Sequence, residues 1–248
     1  MNLRRLVLAI TGLASLSLYG CTGAPGRPAP GAIPVDPDEV SDFAALYAQN
    51  CAGCHGPDGK GGVAISLSDS VYLSLVDDAI LRGAATKGIP KTAMPAFAKS
   101  EGGMLTDKQI DVIVRGIRER WSKPDLLRGV NPAPYSSSEA GNPSRGSGVY
   151  STYCSSCHGP AGSGGQKASS IVDGSYLSLV SDQYLRTIVI VGRPELGAPD
   201  WRGNVPGKPM SPQDVSDVTA WLVSLRPKFP GQPYPPYPND VKPTGEIR

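Results

Sequence analysis

The string Cys-x-x-Cys-His occurs twice, as Cys51-Ala52-Gly53-Cys54-His55 and as Cys154-Ser155-Ser156-Cys157-His158, and both copies sit inside a longer internal duplication. His55-Gly56-Pro57, Gly59 and Gly61-Gly62 return 103 residues later as His158-Gly159-Pro160, Gly162 and Gly164-Gly165. After one extra residue, Asp69 and Tyr72-Leu73-Ser74-Leu75-Val76 return as Asp173 and Tyr176-Leu177-Ser178-Leu179-Val180. Leu81-Arg82 maps on Leu185-Arg186, and Pro90 on Pro194. A period of this length makes the chain two similar units, which its 248 residues alone would not decide.

The duplicated strings use almost all of the metal-binding and redox chemistry the chain has. Four of the five cysteines lie in them; the fifth is Cys21. The only two histidines, His55 and His158, close them, so neither a zinc site nor a Ser/His/Asp arrangement has a free histidine to use. A thioredoxin-like Cys-x-x-Cys needs a βαβ setting and no fixed histidine, and zinc ribbons space their cysteine pairs by about 15–20 residues. Cysteines at i and i+3 on a helical turn point the same way, about 5–6 Å apart at Cβ, which suits addition of both thiols to the vinyl groups of one porphyrin. A histidine directly after the second cysteine then offers the proximal nitrogen to the iron. The expected cofactors are two covalently bound haem c groups, on Cys51, Cys54 and His55 and on Cys154, Cys157 and His158.

Residues 1–20 have the build of an export signal: Arg4 and Arg5, the apolar stretch Leu6 to Leu18, then Tyr19-Gly20 before Cys21. The apolar run is too short and too rich in Thr, Gly and Ser for a spanning helix, which needs about 20 apolar residues. Leu18-Tyr19-Gly20-Cys21 resembles a bacterial lipobox, which implies lipidation of Cys21 and a position at the periplasmic face of a bacterial membrane; ordinary cleavage or a retained anchor is the alternative. Without residues 1–20 the chain carries 22 basic and 22 acidic residues, and the formal charge falls from +2 to zero. Nucleic-acid binding would demand a strongly basic face.

The units read as helical. Asp36 and Pro37 form an N-cap and N1 pair ahead of Val40, Phe43, Ala44 and Tyr47. A second helix is expected over 77–85, and a third from Thr106, with Gln109 completing a capping box and Ile110, Ile113, Val114, Ile117 and Trp121 as its apolar stripe. The second unit ends alike, with Ser211 as cap, Pro212 at N1, and Val215, Val218, Leu222 and Leu225 on one face before Pro227. Residues 21–35 form a Pro/Gly-rich tether, 122–146 a linker and 227–248 a Pro-rich tail.

With its helix into Cys-x-x-Cys-His, a Gly-Pro loop, the Met94-Pro95 step and a closing helix, the chain resembles the class I cytochrome c family over residues 36–121 and, less fully, 147–226. The resemblance implies an all-α fold of two tandem cytochrome c domains and makes Met94 the distal ligand opposite His55. Met104, two residues before a helix cap, is expected to pack. The second unit departs from the pattern, because the offset places Ala198-Pro199 where Met94-Pro95 stands. Met210 maps on Leu105 and reads as a core residue. The second iron then stays five-coordinate, takes water, an exogenous ligand or deprotonated Lys208, or recruits Met210 through a rearranged loop. Arg202 is a candidate partner for a haem propionate, and Lys87, Lys91 and Lys99 flank the Met94 loop. The implied function is electron transfer, in exchange with a quinol-oxidising complex, a soluble cytochrome, or a terminal oxidase or reductase. A haem enzyme or ligand-sensing module built on an open second haem is the alternative.

Overall fold

A computed structural model describes residues 35–90, 92–137 and 139–228. The chain divides into two units, residues 1–39 and 40–248. In the first, the described part is one 3-10 turn, Pro37–Glu39. Asp36 takes the N–H of Asp38, two residues on, in a turn of its own, so no α-helix starts at Asp36.

The second unit is all α among its described residues, apart from isolated bridges at Ala98–Leu105 and Arg193–Ala198. Among the described residues five α-helices occur in each repeat. In the first they are α1 (Phe43–Asn50), α2 (Ala52–His55), α3 (Ser70–Leu75), α4 (Asp78–Lys87) and α5 (Asp107–Trp121). In the second they are α6 (Pro143–Tyr153), α7 (Ser155–His158), α8 (Gly174–Leu179), α9 (Asp182–Val191) and α10 (Pro212–Ser224). Caps explain the starts. The Asp42 carboxylate accepts from Ala45 N–H at 2.8 Å, and Asp69, Asp77, Asn142, Asp173 and Ser181 do the same for their own helices. Thr106 with Gln109 and Ser211 with Asp214 close full capping boxes. The short α3 and α8 lack a run long enough to announce a helix; their capping aspartates mark them.

On α5 the residues Ile110, Ile113, Val114 and Ile117 are buried as their spacing demands, while Trp121 is half-buried with its ring edge-on to Tyr47, 5.3 Å between centroids. On α10, Val215, Val218 and Leu222 enter the core, but Leu225 is exposed. The helix ends at Ser224, and Leu225 turns outward as the C-cap, its N–H on the carbonyls of Leu222 and Val223.

First and last helices cross in each repeat, with opposite contributions of bulk. In the first, Phe43 of α1 lies over Gly116 of α5, where a Cβ would stand 2.1 Å from the Phe43 ring. In the second, the glycine is Gly146 on α6, where a Cβ would stand 2.1 Å from the Asp217 carbonyl and 2.7 Å from Trp221 Cβ of α10. Asp217 is buried at this crossing and accepts from Asn142 N–H, Arg145 and Gln213.

One arginine near the end of each closing helix secures the turn between the third and fourth helices. Arg118 reaches the carbonyls of Leu73 and Val76 and the Asp78 carboxylate. Arg226 reaches the carbonyls of Leu177 and Val180 and the Asp182 carboxylate, the matching three acceptors.

The repeats share a seam. Helix α3 lies against α9, and Tyr72 meets Tyr135 edge-on at 6.5 Å. The segment after α5 is bound to the second repeat: Ala133 is fully buried, Arg186 donates to the carbonyls of Pro134 and Tyr135, and Gln183 donates to Tyr135 O. The Arg193 guanidinium contacts Gly62 O at 3.4 Å.

Candidate functional site

Each Cys-x-x-Cys-His string forms the same short turn. Cys51 closes α1 by donating its N–H to Tyr47 O, and the N–H groups of Cys54 and His55 return to Cys51 O. This places Cys51 and Cys54 one helical turn apart, and the second repeat does the same with Cys154, Cys157 and His158. All four thiols are free. Burial, helped by the neighbouring Cys54 or Cys157, pushes the Cys51 and Cys154 thiols up to about 11, so both are held protonated at neutral pH.

His55 is buried, and its Nδ1 lies 2.8 Å from Ile65 O. A carbonyl only accepts, so Nδ1 carries the proton and Nε2 keeps its lone pair. Burial lowers the pKa of His55, against the opposing pull of that hydrogen bond, and favours the neutral ring. His158 is half-exposed and is tied identically, Nδ1 to Ser169 O at 2.9 Å. The loop behind each histidine folds tightly on itself. Gly56 and Gly159 have φ of +81° and +74°, and a Cβ on either would stand within 2.0 Å of a carbonyl oxygen, Lys60 O or Gly164 O.

Two tyrosines fasten these turns, one read from the sequence only as part of a helical stripe and the other not singled out. Tyr47 donates its hydroxyl to Gly56 O at 3.0 Å, and Tyr150 does the same to Gly159 O. Burial raises both phenol pKa values, which keeps them donors. Each stands four residues before the first cysteine of its string, so the duplication itself carried the signal.

The distal loops superpose by their hydrogen bonds. Ile89 N–H donates to Met94 O, and Arg193 N–H donates to Ala198 O, both at 3.0 Å. Farther on, Leu105 N–H donates to Phe97 O, and Met210 N–H to Trp201 O. Met94 thus pairs with Ala198, Phe97 with Trp201 and Leu105 with Met210. Met94 is half-buried, whereas Met210 is 3% exposed and fills the core position of Leu105. Met104 does not pack: it is 78% exposed, because Leu105 takes the inward place beside it. Lys208 is exposed, its ammonium 5.6 Å from the centre of the Tyr153 ring. Arg202 is paired with Asp200 and lies over Trp201 at 4.8 Å. Lys91 and Cys21 lie outside the described residues.

The donor set fits a covalently held haem: two free thiols one turn apart, then an imidazole whose Nδ1 is held by a backbone carbonyl and whose Nε2 is available. Among the described residues no cluster of three or more His, Cys, Asp or Glu could hold a bare metal ion.

The family model described as cytochrome C oxidase, cbb3-type, subunit III matches residues 38–115 and 141–222. The cbb3-type cytochrome c oxidase subunit CcoP of Azospirillum sp. (strain B510) is 32% identical over 141 residues, which cover 52% of this chain and 42% of that protein. The chain therefore matches less than half the length of this relative. A chain of the reducing HAO-like protein complex of Kuenenia stuttgartiensis shares 19% identity, with a TM-score of 0.44 over 77% of this chain and 99% of that one. With one family model covering both repeats of an all-α tandem fold, the chain belongs to the cytochrome c oxidase, cbb3-type, subunit III family, as a c-type cytochrome of electron transfer whose domains imply covalently bound haem c.

Proposed function

We propose that this protein is a dihaem electron-transfer subunit that works at the periplasmic face of a bacterial membrane, anchored by a lipid on Cys21. The observation that carries the reading is the matched pair of histidines, each with Nδ1 spent on a backbone carbonyl and Nε2 left to bind iron. Cys51 and Cys54 would hold one haem c with His55 and Met94 as axial ligands; Cys154 and Cys157 would hold the other with His158. Bound haem supplies a one-electron couple, and a His-Met ligand set favours the reduced iron. The polypeptide supplies fixed imidazoles, an apolar surround and two sites in one compact unit.

Ala198 stands in the Met94 position and Met210 is buried in the core, which supports a second site without the thioether proposed for the first. That difference supports unequal haems, the second open to water or to a small ligand. It also favours a second reading, ligand binding or reduction at that haem. Peroxide or nitrite chemistry needs a distal acid-base group, and the charges that follow Ala198 in the loop, Asp200 and Arg202, are paired with each other. The electron-transfer reading is therefore preferred, and the similarity to CcoP supports a terminal oxidase complex as the acceptor, with a quinol-oxidising complex or a soluble cytochrome as donor.

Haem counting tests this directly. The holoprotein should yield two covalent haems per chain, and the double variant Cys154→Ala/Cys157→Ala should yield one. The reduced native protein should bind carbon monoxide at one haem, and Met94→Ala should make it two. One haem in the native protein, or two identical low-spin His-Met spectra, contradicts the proposal.

A further inference from the structure

The loop that supports His55 is held in part from outside its own repeat. Residues 61–64 run back against the Cys51–His55 turn. Ala64 N–H donates to Cys54 O at 3.0 Å, and a Cβ on Gly62 would stand 2.1 Å from that same oxygen and 2.8 Å from Gly56 N. The next residue, Ile65, supplies the carbonyl that fixes Nδ1 of His55. The stretch has little of its own to hold it in place, since Gly61 and Gly62 lack side chains and Val63 is 85% exposed. In the second repeat the matching glycines are secured from within: Gly164 N–H donates to His158 O at 2.8 Å and Gly165 N–H to Ala168 O at 2.9 Å. In the first, Gly62 O takes the Arg193 guanidinium, at 3.4 Å.

Arg193 belongs to the distal loop of the second repeat, and both its main chain and its side chain are fixed there. The main chain pairs with Ala198 in both directions, Arg193 N–H to Ala198 O at 3.0 Å and Ala198 N–H to Arg193 O at 3.1 Å. The guanidinium is clamped by the Glu195 carboxylate, and these two side chains are only 15% and 17% exposed. A guanidinium held in this way keeps one position and offers Gly62 O a fixed donor. Glu195 and Asp200 of the same loop lie close enough to Asp69 to add to burial in raising its carboxyl, so the distal loop bears on both ends of the stretch from Gly62 to Asp69. The first repeat has no reciprocal arm: Ile89 stands where Arg193 does, and its side chain carries neither charge nor donor.

On the reading that His55 ligates the first iron, we infer that Arg193 is a positioning residue for that site: from the second repeat it seats the loop whose Ile65 carbonyl fixes the histidine. A hydrogen bond from Nδ1 makes the imidazole a stronger donor at Nε2, which favours ferric iron and lowers the potential. Releasing Gly62 loosens the loop, lengthens the bond from Nδ1 to Ile65 O and raises the potential of the first haem. Loss of the Arg193 charge by itself acts the other way, because a nearby cation disfavours the oxidised state. The two effects separate when the Arg193–Glu195 pair is removed together, since the net charge then stays the same.

Redox titration of the haem-loaded protein, read in the low-spin spectrum of the first haem, tests this role. The double variant Arg193→Ile/Glu195→Gln should favour the reduced first haem about three- to tenfold, a rise of roughly 30–60 mV at 59 mV per tenfold for one electron. Arg193→Lys keeps the charge and a donor, and should show less than half of that rise. Far-UV circular dichroism identifies a misfolded double variant, for which Arg193→Gln/Glu195→Gln substitutes. A first-haem potential that does not rise in the charge-neutral variant, or that rises as far in Arg193→Lys, overturns the inference and leaves the dihaem reading intact. A native protein without a haem at His55 overturns both, and the haem count shows it before any titration.

Discussion

At both Cys-x-x-Cys-His turns the imidazole is fixed by a main-chain oxygen, Ile65 O or Ser169 O, whose residue type is irrelevant to the task. That is why the cysteines and histidines were legible in the sequence and their supports were not: a carbonyl has no letter of its own. The same holds for Asp217, which looks like an ordinary helix acid until the fold places it under α6, bonded to Arg145, Gln213 and Asn142 N–H. Arg145 beside it, first of all by its hydrogen bonds, holds the Asp217 carboxyl below its usual range. A carboxylate whose pKa is lower folded than unfolded stabilises the fold above the unfolded value, near 4, and loses that contribution as pH falls through the folded one. Asp217→Asn should therefore cost about 1–3 kcal/mol at pH 7. It should also flatten the loss of stability below pH 4, as measured by urea unfolding across pH.

Among the elements, the two helix crossings show how one architecture accepts opposite assignments of bulk. Hydrophobic spacing revealed the stripes of α5 and α10, and capping letters marked their starts. Spacing could not reveal which helix supplies the large residue at the crossing, since Phe43 against Gly116 and Trp221 against Gly146 reverse the roles. It also misplaced the first helix at Asp36, because an aspartate that closes its own turn and one that caps a helix, as Asp42 does, share a letter. The two glycines should respond unequally to a methyl group. At Gly116 the obstacle is a side-chain ring that can tilt, and the gain in helix propensity, about 1 kcal/mol, offsets part of the strain. At Gly146 the obstacle is the Asp217 carbonyl, which moves only with its helix. Gly146→Ala should destabilise by about 2–3 kcal/mol and Gly116→Ala by less than half of that, read from denaturant midpoints at constant slope.

Over the whole molecule, the duplication was plain from sequence, and so was the helical class of both repeats. The seam was not, because it depends on which twin surface a linker happens to cover. Arg186 is the clearest case: its counterpart Arg82 pairs with carboxylates, while Arg186 is buried without one and uses the carbonyls of Pro134 and Tyr135 and the Ser216 hydroxyl. Arg186→Ala should free the segment 122–140, cost about 2–4 kcal/mol, and split a single unfolding transition into two. Limited proteolysis should then cut between the repeats, where the native protein resists. The pair Arg118 and Arg226 shows what duplication preserves. The two arginines do not occupy corresponding positions, since Arg226 lies beyond its helix and Arg118 within one, yet they plug the same socket of two carbonyls and one aspartate. The plug sits at different positions while the socket is the same, so a position-by-position comparison of the two halves would score as missing a contact that both possess.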